Sequence, residues 1–286
     1  GEGGDDYHVQ VNMMRVEDIG MLAAVPDTPP DPEGNRATRS RERATLSPAQ
    51  TRSVAGRVRQ RQAYERLILS TAERAVRLEV RGVRGALVKG YGVRDRAEFR
   101  AAVDEFYERH GRWLSAAFGP VLRSFADVVV GQVADELARE PDSVAREVDE
   151  YVDTFVARQV NASLGQIRGI LNDTPEEDQA DAIEERVARW DDTKAESLAR
   201  REATRGMNAF THFAYLAAAV VAIRWVTVGG NCPLCNMMSG RTIGTREAFL
   251  ADGDTLDPGD VSPLTVTSIY KHPPLHDGCD CTIVGA

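Results

Sequence analysis

Lysine is almost missing from this chain. Lys89, Lys194 and Lys271 are the only three among 35 basic residues. Arginine supplies the rest, a bias of GC-rich coding, so a single arginine carries little functional weight. Aromatics are only 6% of the residues while 28% are charged, which suits long solvated helices better than a compact sheet protein. No N-terminal signal and no run of about 18 apolar residues is read, and the apolar stretch 213–223 is too short, so no membrane span is expected. No nucleophile elbow, phosphate-binding glycine loop or His-Glu-x-x-His motif occurs, which leaves no sequence argument for an enzyme. Cysteine is confined to four residues, all in the last fifth of the chain.

The charge that is present is unevenly placed. The formal net charge is -9, which argues against a general nucleic-acid binder. Residues 36–100 nevertheless hold 17 Arg or Lys against 6 Asp or Glu. Two readings fit: a solvated helix face, or a local contact with an acidic partner.

Along the chain, residues 1–24 read as an extended tail. Residues 25–47 read as a flexible linker, since five of the 13 prolines fall within 25–50 among polar residues. Residues 48–222 read as an elongated body of antiparallel helices. Ser47-Pro48 starts the first, with Val54, Val58, Leu67, Ile68, Ala72 and Val76 near a 3.6 period. Asp95 with Glu98 predicts a second helix to about 117, Gly119-Pro120 a third to about 139, and Pro141-Asp142 a fourth to about 171. Thr174-Pro175 opens a last long run to about 222, with a bend expected near 190–193. At Ile223 the character changes: "IRWVTV" alternates like a strand, and "CTIV" at the end reads as another. The fold class expected is therefore mainly α, with a small C-terminal module, 223–286, that contains short strands and needs a staple.

That staple is legible in the thiols. Cys232-Pro-Leu-Cys235 has zinc-knuckle spacing, and His276, Cys279 and Cys281 form a partner half about 40 residues on. Five donors exceed the four of a closed structural zinc site. Cys279 is the best third ligand, and His276 or Cys281 the fourth; His272 is weaker because Pro273 and Pro274 stiffen the intervening chain. Two disulfides, or four unliganded thiols, are the competing readings. A closed site would leave no place for a catalytic water, so the expected cofactor is a structural Zn2+. His110 and His212 sit alone in helical stretches and His8 in the tail, so none is read as a ligand. Asp252, Asp254, Asp257 and Asp260 do not fit the order of a calcium loop and read as a solvated turn.

Taken together, "RREATRGMNAF" (200–210), "RWVTVGGNCPLCNMMSGRTI" (224–243) and "HPPLHDGCDCTIV" (272–284) resemble the phage head morphogenesis family, minor head proteins similar to the F protein of phage Mu. Glu202, Asn208, Trp225, Thr227, Cys232, Pro233, Cys235, Gly240, His276, Cys279 and Cys281 follow the family order, over roughly residues 195–286. Gly229-Gly230, Asp277 and Asp280 depart from it. "GEGGDDYHVQVNM" is similar to the tail of phage portal proteins, so the chain reads as the C-terminal part of a portal–minor head fusion. The resemblance implies a non-enzymatic structural protein of a virion. It would sit inside the capsid at the portal vertex, and in host cytoplasm during assembly, acting in head assembly and DNA packaging or delivery. The implied partners are portal protein and major capsid protein, packaged DNA through residues 36–100, and a homo-oligomer, with no membrane. Glu202 and Asn208 would cap or position the metal turn, or be ordinary helix residues; Trp225 would pack over the module. The alternatives are a nucleic-acid-binding zinc module on a helical stalk and a zinc-dependent hydrolase or nuclease.

Overall fold

The computed structural model of the chain describes residues 46–92, 96–228 and 232–286. The expected tail at 1–24, all but the end of the 25–47 linker, His8 and the Asp95 cap lie outside the described residues. Two compact units are distinguished, residues 49–220 and residues 221–286.

The first unit is built from long helices: α1 (Pro48–Gly92), α2 (Arg96–Leu137), α3 (Ala145–Asp173) and α4 (Gln179–Ala217). On α1 the buried positions run Ser53, Arg57, Arg61, Tyr64, Ile68, Ala72, Val76, Val80 and Val83, a spacing of three or four that puts one face inward. Successive helices run antiparallel, as the cross-contacts require. Tyr64 of α1 stacks on Phe125 of α2 at 4.2 Å, while the far ends pair Ser53 with Glu136. Arg123 of α2 meets Asp149 early in α3, and Arg168 late in α3 meets Asp104 early in α2. One apolar cluster surrounds Phe118, Phe125, Phe155 and Phe210; a second surrounds Phe99, Tyr107, Ile183 and Trp190.

Three expected boundaries are corrected. Gly119-Pro120 does not end a helix: Pro120 lies inside α2 on its exposed side. A proline there removes one helix bond, at about 3 kcal/mol. Phe118, Leu122 and Phe125 are all fully buried on the opposite face, and each contributes roughly 1.5–3 kcal/mol by burial. Packing therefore outweighs the breaker. The helix expected from Pro141 begins instead at Ala145, because Val144 turns into the core first. The last run is delayed and shortened. Glu176–Asp178 forms a 3-10 turn, and the Gln179 side chain donates to the carbonyls of Leu171 and Thr174, closing α3 before α4 starts. At the far end Ala219 takes a left-handed φ of 51° and Val220 N–H bonds back to Tyr215, which stops α4 short of 222. No break divides α4 at 190–193.

Helix α2 is more apolar than the expectation of no membrane-length stretch allows. An 18-residue window within it reaches a mean hydropathy of 1.3, long and apolar enough by composition to cross a membrane. Along this helix Phe118, Leu122, Phe125 and Val129 are packed in the first cluster.

The second unit is small. Strands β1 (Ala222–Val226), β2 (Thr242–Gly244) and β5 (Thr282–Gly285) form an antiparallel sheet in the order β2-β1-β5. A short helix α5 (Pro233–Met238) lies between β1 and β2, and β3 (Thr255–Leu256) pairs with β4 (Leu264–Thr265). Central β1 buries Ile223 and Trp225 on alternate positions. Registry sets Trp225 opposite Ile283 and Val226 opposite Thr282. The segment before β5, which carries Cys279 and Cys281, is thereby anchored to the strand that leads into Cys232.

Candidate metal centre

Local geometry prepares each half of the cysteine cluster. Cys232 is the N-cap of α5, with Pro233 in the first turn, and its sulfur accepts the N–H of Cys235 at 3.4 Å. The spacing thus turns two sulfurs onto one side of a single helical turn, with backbone N–H offsetting negative charge. In the other half Gly278 adopts a φ of 75°, where a side chain is strained, and Cys279 N–H returns to the His276 carbonyl at 3.2 Å. That tight turn brings His276 and Cys279 round together. Behind them Gly240, at φ 76°, donates to the Trp225 carbonyl, and Trp225 N–H bonds the Arg241 carbonyl, so α5 is held to β1.

The five predicted donors converge. Cys232, Cys235 and His276 offer ligand atoms within 4.8 Å of one another, as do Cys235, Cys279 and Cys281, and Cys235 belongs to both groups. His276 Nε2 is 2.9 Å from Cys232 Sγ and 3.2 Å from Cys235 Sγ, and Cys235 Sγ is 3.7 Å from Cys279 Sγ. Two sulfurs about 2.3 Å from a tetrahedral ion stand about 3.8 Å apart, so the last separation suits a shared ion. The histidine contacts are closer than the ~3.5 Å such an ion would impose, and are those of thiol and imidazole sharing protons. The four cysteines are free of disulfides, three of them buried. His272 is outside both groups; its Nδ1 lies 2.6 Å from the Pro273 carbonyl.

The environment suits a cation. His276 Nδ1 is 2.8 Å from the Asp277 carbonyl; donation there means that loss of the Nε2 proton turns a lone pair toward the sulfurs, the orientation a metal-binding imidazole needs. The thiols do not titrate alike. The Cys235 thiol donates to Cys232, and against the effect of burial Cys232 falls to about 4, with His276 adding to the shift. Hydrogen bonds from Cys235 and Cys281 hold Cys279 down to about 2. Cys235, donor to its neighbours, is pushed far up. Cys281, which the Cys235 contact alone would lower, is carried to about 12 by Cys279 and burial. Burial works against a charged His276, yet the Cys232 sulfur and the Asp277 carbonyl raise it to about 9. Without metal the cluster is a proton-sharing network of thiolates, thiols and imidazolium. A divalent soft-ligand cation would displace those protons, so the residues could hold a metal ion.

Trp225 packs edge-on against Phe249 with ring centres 5.1 Å apart and is fully buried. Among the described residues its indole N–H has no hydrogen-bond partner. The core position expected of Trp225 is the one it occupies. Thr227 Oγ1 lies 3.1 Å from Ser239 Oγ, a further tie between β1 and the end of α5.

Other residues singled out have ordinary partners. Glu202 is buried in the helical unit, accepting from Tyr151 at 2.6 Å and Arg158 at 2.9 Å, both on α3. It is thus neither an exposed helix residue nor free to cap the metal turn. Asn208 donates to the Thr204 carbonyl within α4. Asp254 and Asp257 accept from Ala251 and Gly259 N–H groups and so close their own turns. His110 and His212 are buried in helices, apart from the clustered donors.

No protein-family model, curated protein or solved structure matches this chain.

Proposed function

We propose that the chain is a structural, non-enzymatic head protein of a tailed phage or phage-like particle. In this reading the C-terminal unit is locked by one Zn2+ and the helices present surface to portal and major capsid protein. The convergence of five soft donors into one cluster carries the metal part. A cluster so enclosed favours a closed coordination shell, in which the ion contributes folding free energy and has no open position for a reacting water. The donors are thiolate and imidazole, which favour zinc over the hard oxygen-seeking cations.

Support for the head-protein reading comes from the residues that resemble that family. Trp225, Thr227, Gly240 and the five donors, scattered over 57 positions of sequence, have one physical purpose each in building the same module. The particle site follows as the capsid interior at the portal vertex. Metal analysis of the purified chain should give one zinc per chain, and Cys232→Ser should make the C-terminal unit protease-sensitive while the helices resist. Absence of zinc, or unchanged protease resistance, would reject the staple. Mass spectrometry and electron microscopy of particles made by the encoding element should find the chain at the portal; purified particles without it would reject the head-protein reading separately.

A further inference from the structure

Seven arginines on α1 fall on one line. Arg52, Arg59 and Arg66 are seven residues apart, Arg74 and Arg81 continue the row, and Arg77 and Arg84 flank it. At ~100° per residue all seven lie within roughly an 80° arc, and at ~1.5 Å per residue the row runs about 48 Å. The first six are exposed, and the Arg84 side chain is 41% exposed. Gly56, Ala63 and Ser70 occupy the same line between the first arginines, so nothing bulky interrupts it.

Many arginines elsewhere in the unit are ion-paired. Arg109, Arg112, Arg123, Arg146, Arg168 and Arg189 each face a carboxylate. On the α1 row only Arg77, 4.0 Å from Glu73, and Arg84, 2.6 Å from Glu184, do so. Among the described residues no carboxylate lies within ion-pair distance of Arg52, Arg59, Arg66, Arg74 or Arg81; the contacts of Arg74 and Arg81 are with their own helix. A solvated face on an acidic protein would be expected to carry interspersed acids, as the other helices do.

We propose that this row is a binding surface for the phosphate backbone of duplex DNA. Guanidinium is the side chain best matched to phosphate, by its charge and its forked donors. The row carries no aromatic, so it has no platform on which unpaired bases could stack, and it is one straight edge with no element that would enter a groove to read bases. Contact is therefore with duplex backbone and independent of sequence. The overall negative charge confines binding to this face. The proposal deepens the DNA contact that the head-protein reading expects of residues 36–100, but it is argued from the row itself and fails or stands separately from the metal centre and the particle.

Fluorescence anisotropy with a labelled 30-base-pair duplex, at a series of KCl concentrations, tests it. The whole chain should bind, with log K falling linearly against log salt and with two unrelated sequences bound alike. A variant with Arg52, Arg59, Arg66 and Arg81 all changed to Gln should keep its circular dichroism and lose at least about tenfold in affinity, its salt slope shrinking by roughly 3–4. The control, Arg109→Gln with Arg112→Gln and Arg168→Gln, should bind as the parent does. No binding at 50 mM salt, a variant with unchanged slope, or a control that loses as much would overturn the proposal. So would a variant that keeps DNA but loses an acidic peptide, which would make the row a protein contact.

Discussion

Arg57 shows how much one buried charge depends on its partner. It is fully buried, ion-paired with Glu136 and bonded to the Tyr215 hydroxyl at 2.8 Å, while Glu136 also accepts from Tyr215 at 2.8 Å and from Ser53 at 2.5 Å. Glu136→Ala removes the counter-charge of the buried guanidinium, and the helical unit should lose about 3–5 kcal/mol in a denaturant titration. His110 makes a different residue-scale prediction. It is stacked between Phe106 and Trp113, and burial, with Lys194 adding and Glu79 opposing, holds its pKa below the ordinary 6.5. Its neutral form is favoured in the fold, so its contribution is present above pH 6.5 and is lost as pH falls through the folded value. The unfolding midpoint should drop between pH 7 and 5, and His110→Gln should flatten that drop. At the cluster, Cys235→Ser should abolish metal retention more completely than Cys281→Ser or His276→Ala, because Cys235 belongs to both donor groups; equal retention in all three variants would place the ion elsewhere.

Two glycines of α1 stand in opposite surroundings. A Cβ on Gly90 would stand 2.3 Å from the Phe99 Cβ and 2.6 Å from its Cα, so α1 and α2 would have to part. Gly90→Ala should therefore destabilise by about 1–3 kcal/mol, as overpacking does, despite the better helix propensity of alanine. Gly85 has nothing within 4 Å of the same position, and Gly85→Ala should stabilise by about 0.5–1 kcal/mol. Thermal melting of the pair checks the sign of each. Helix existence could be read from the 3.6 period, as at Ile68, Ala72 and Val76 of α1, although Leu67, read on the same face, is exposed. The start of α1 at Pro48 could be read too, but other ends could not, because Pro120 is tolerated by burial of Phe118 and Leu122, and Ala219 stops α4 through a left-handed turn that alanine does not advertise.

At the scale of the whole molecule, the two units combine different sources of stability. Residues 49–220 hold two apolar clusters, whereas residues 221–286 add a donor cluster to buried side chains such as Trp225, Met238, Phe249 and Ile283. A chelator should thus loosen the C-terminal unit while far-UV circular dichroism, dominated by the helices, changes little. Hydrogen exchange should rise at β1, α5 and β5 first. Loss of helical signal at the same chelator concentration would mean that the ion supports both units.

Sequence alone determined the chemistry of the donors, the mainly helical class and the change of character at Ile223, because residue type and local period express these directly. It also held the arginine row, although only the helix α1 makes residues seven apart neighbours on one face. Tertiary structure decided the rest: that Cys235 joins the two donor groups, that Trp225 packs edge-on against Phe249, and that Glu202 is bound to α3. Each of those depends on chain segments distant in sequence being packed together, and packing is fixed by the sum of many contacts that no single stretch contains.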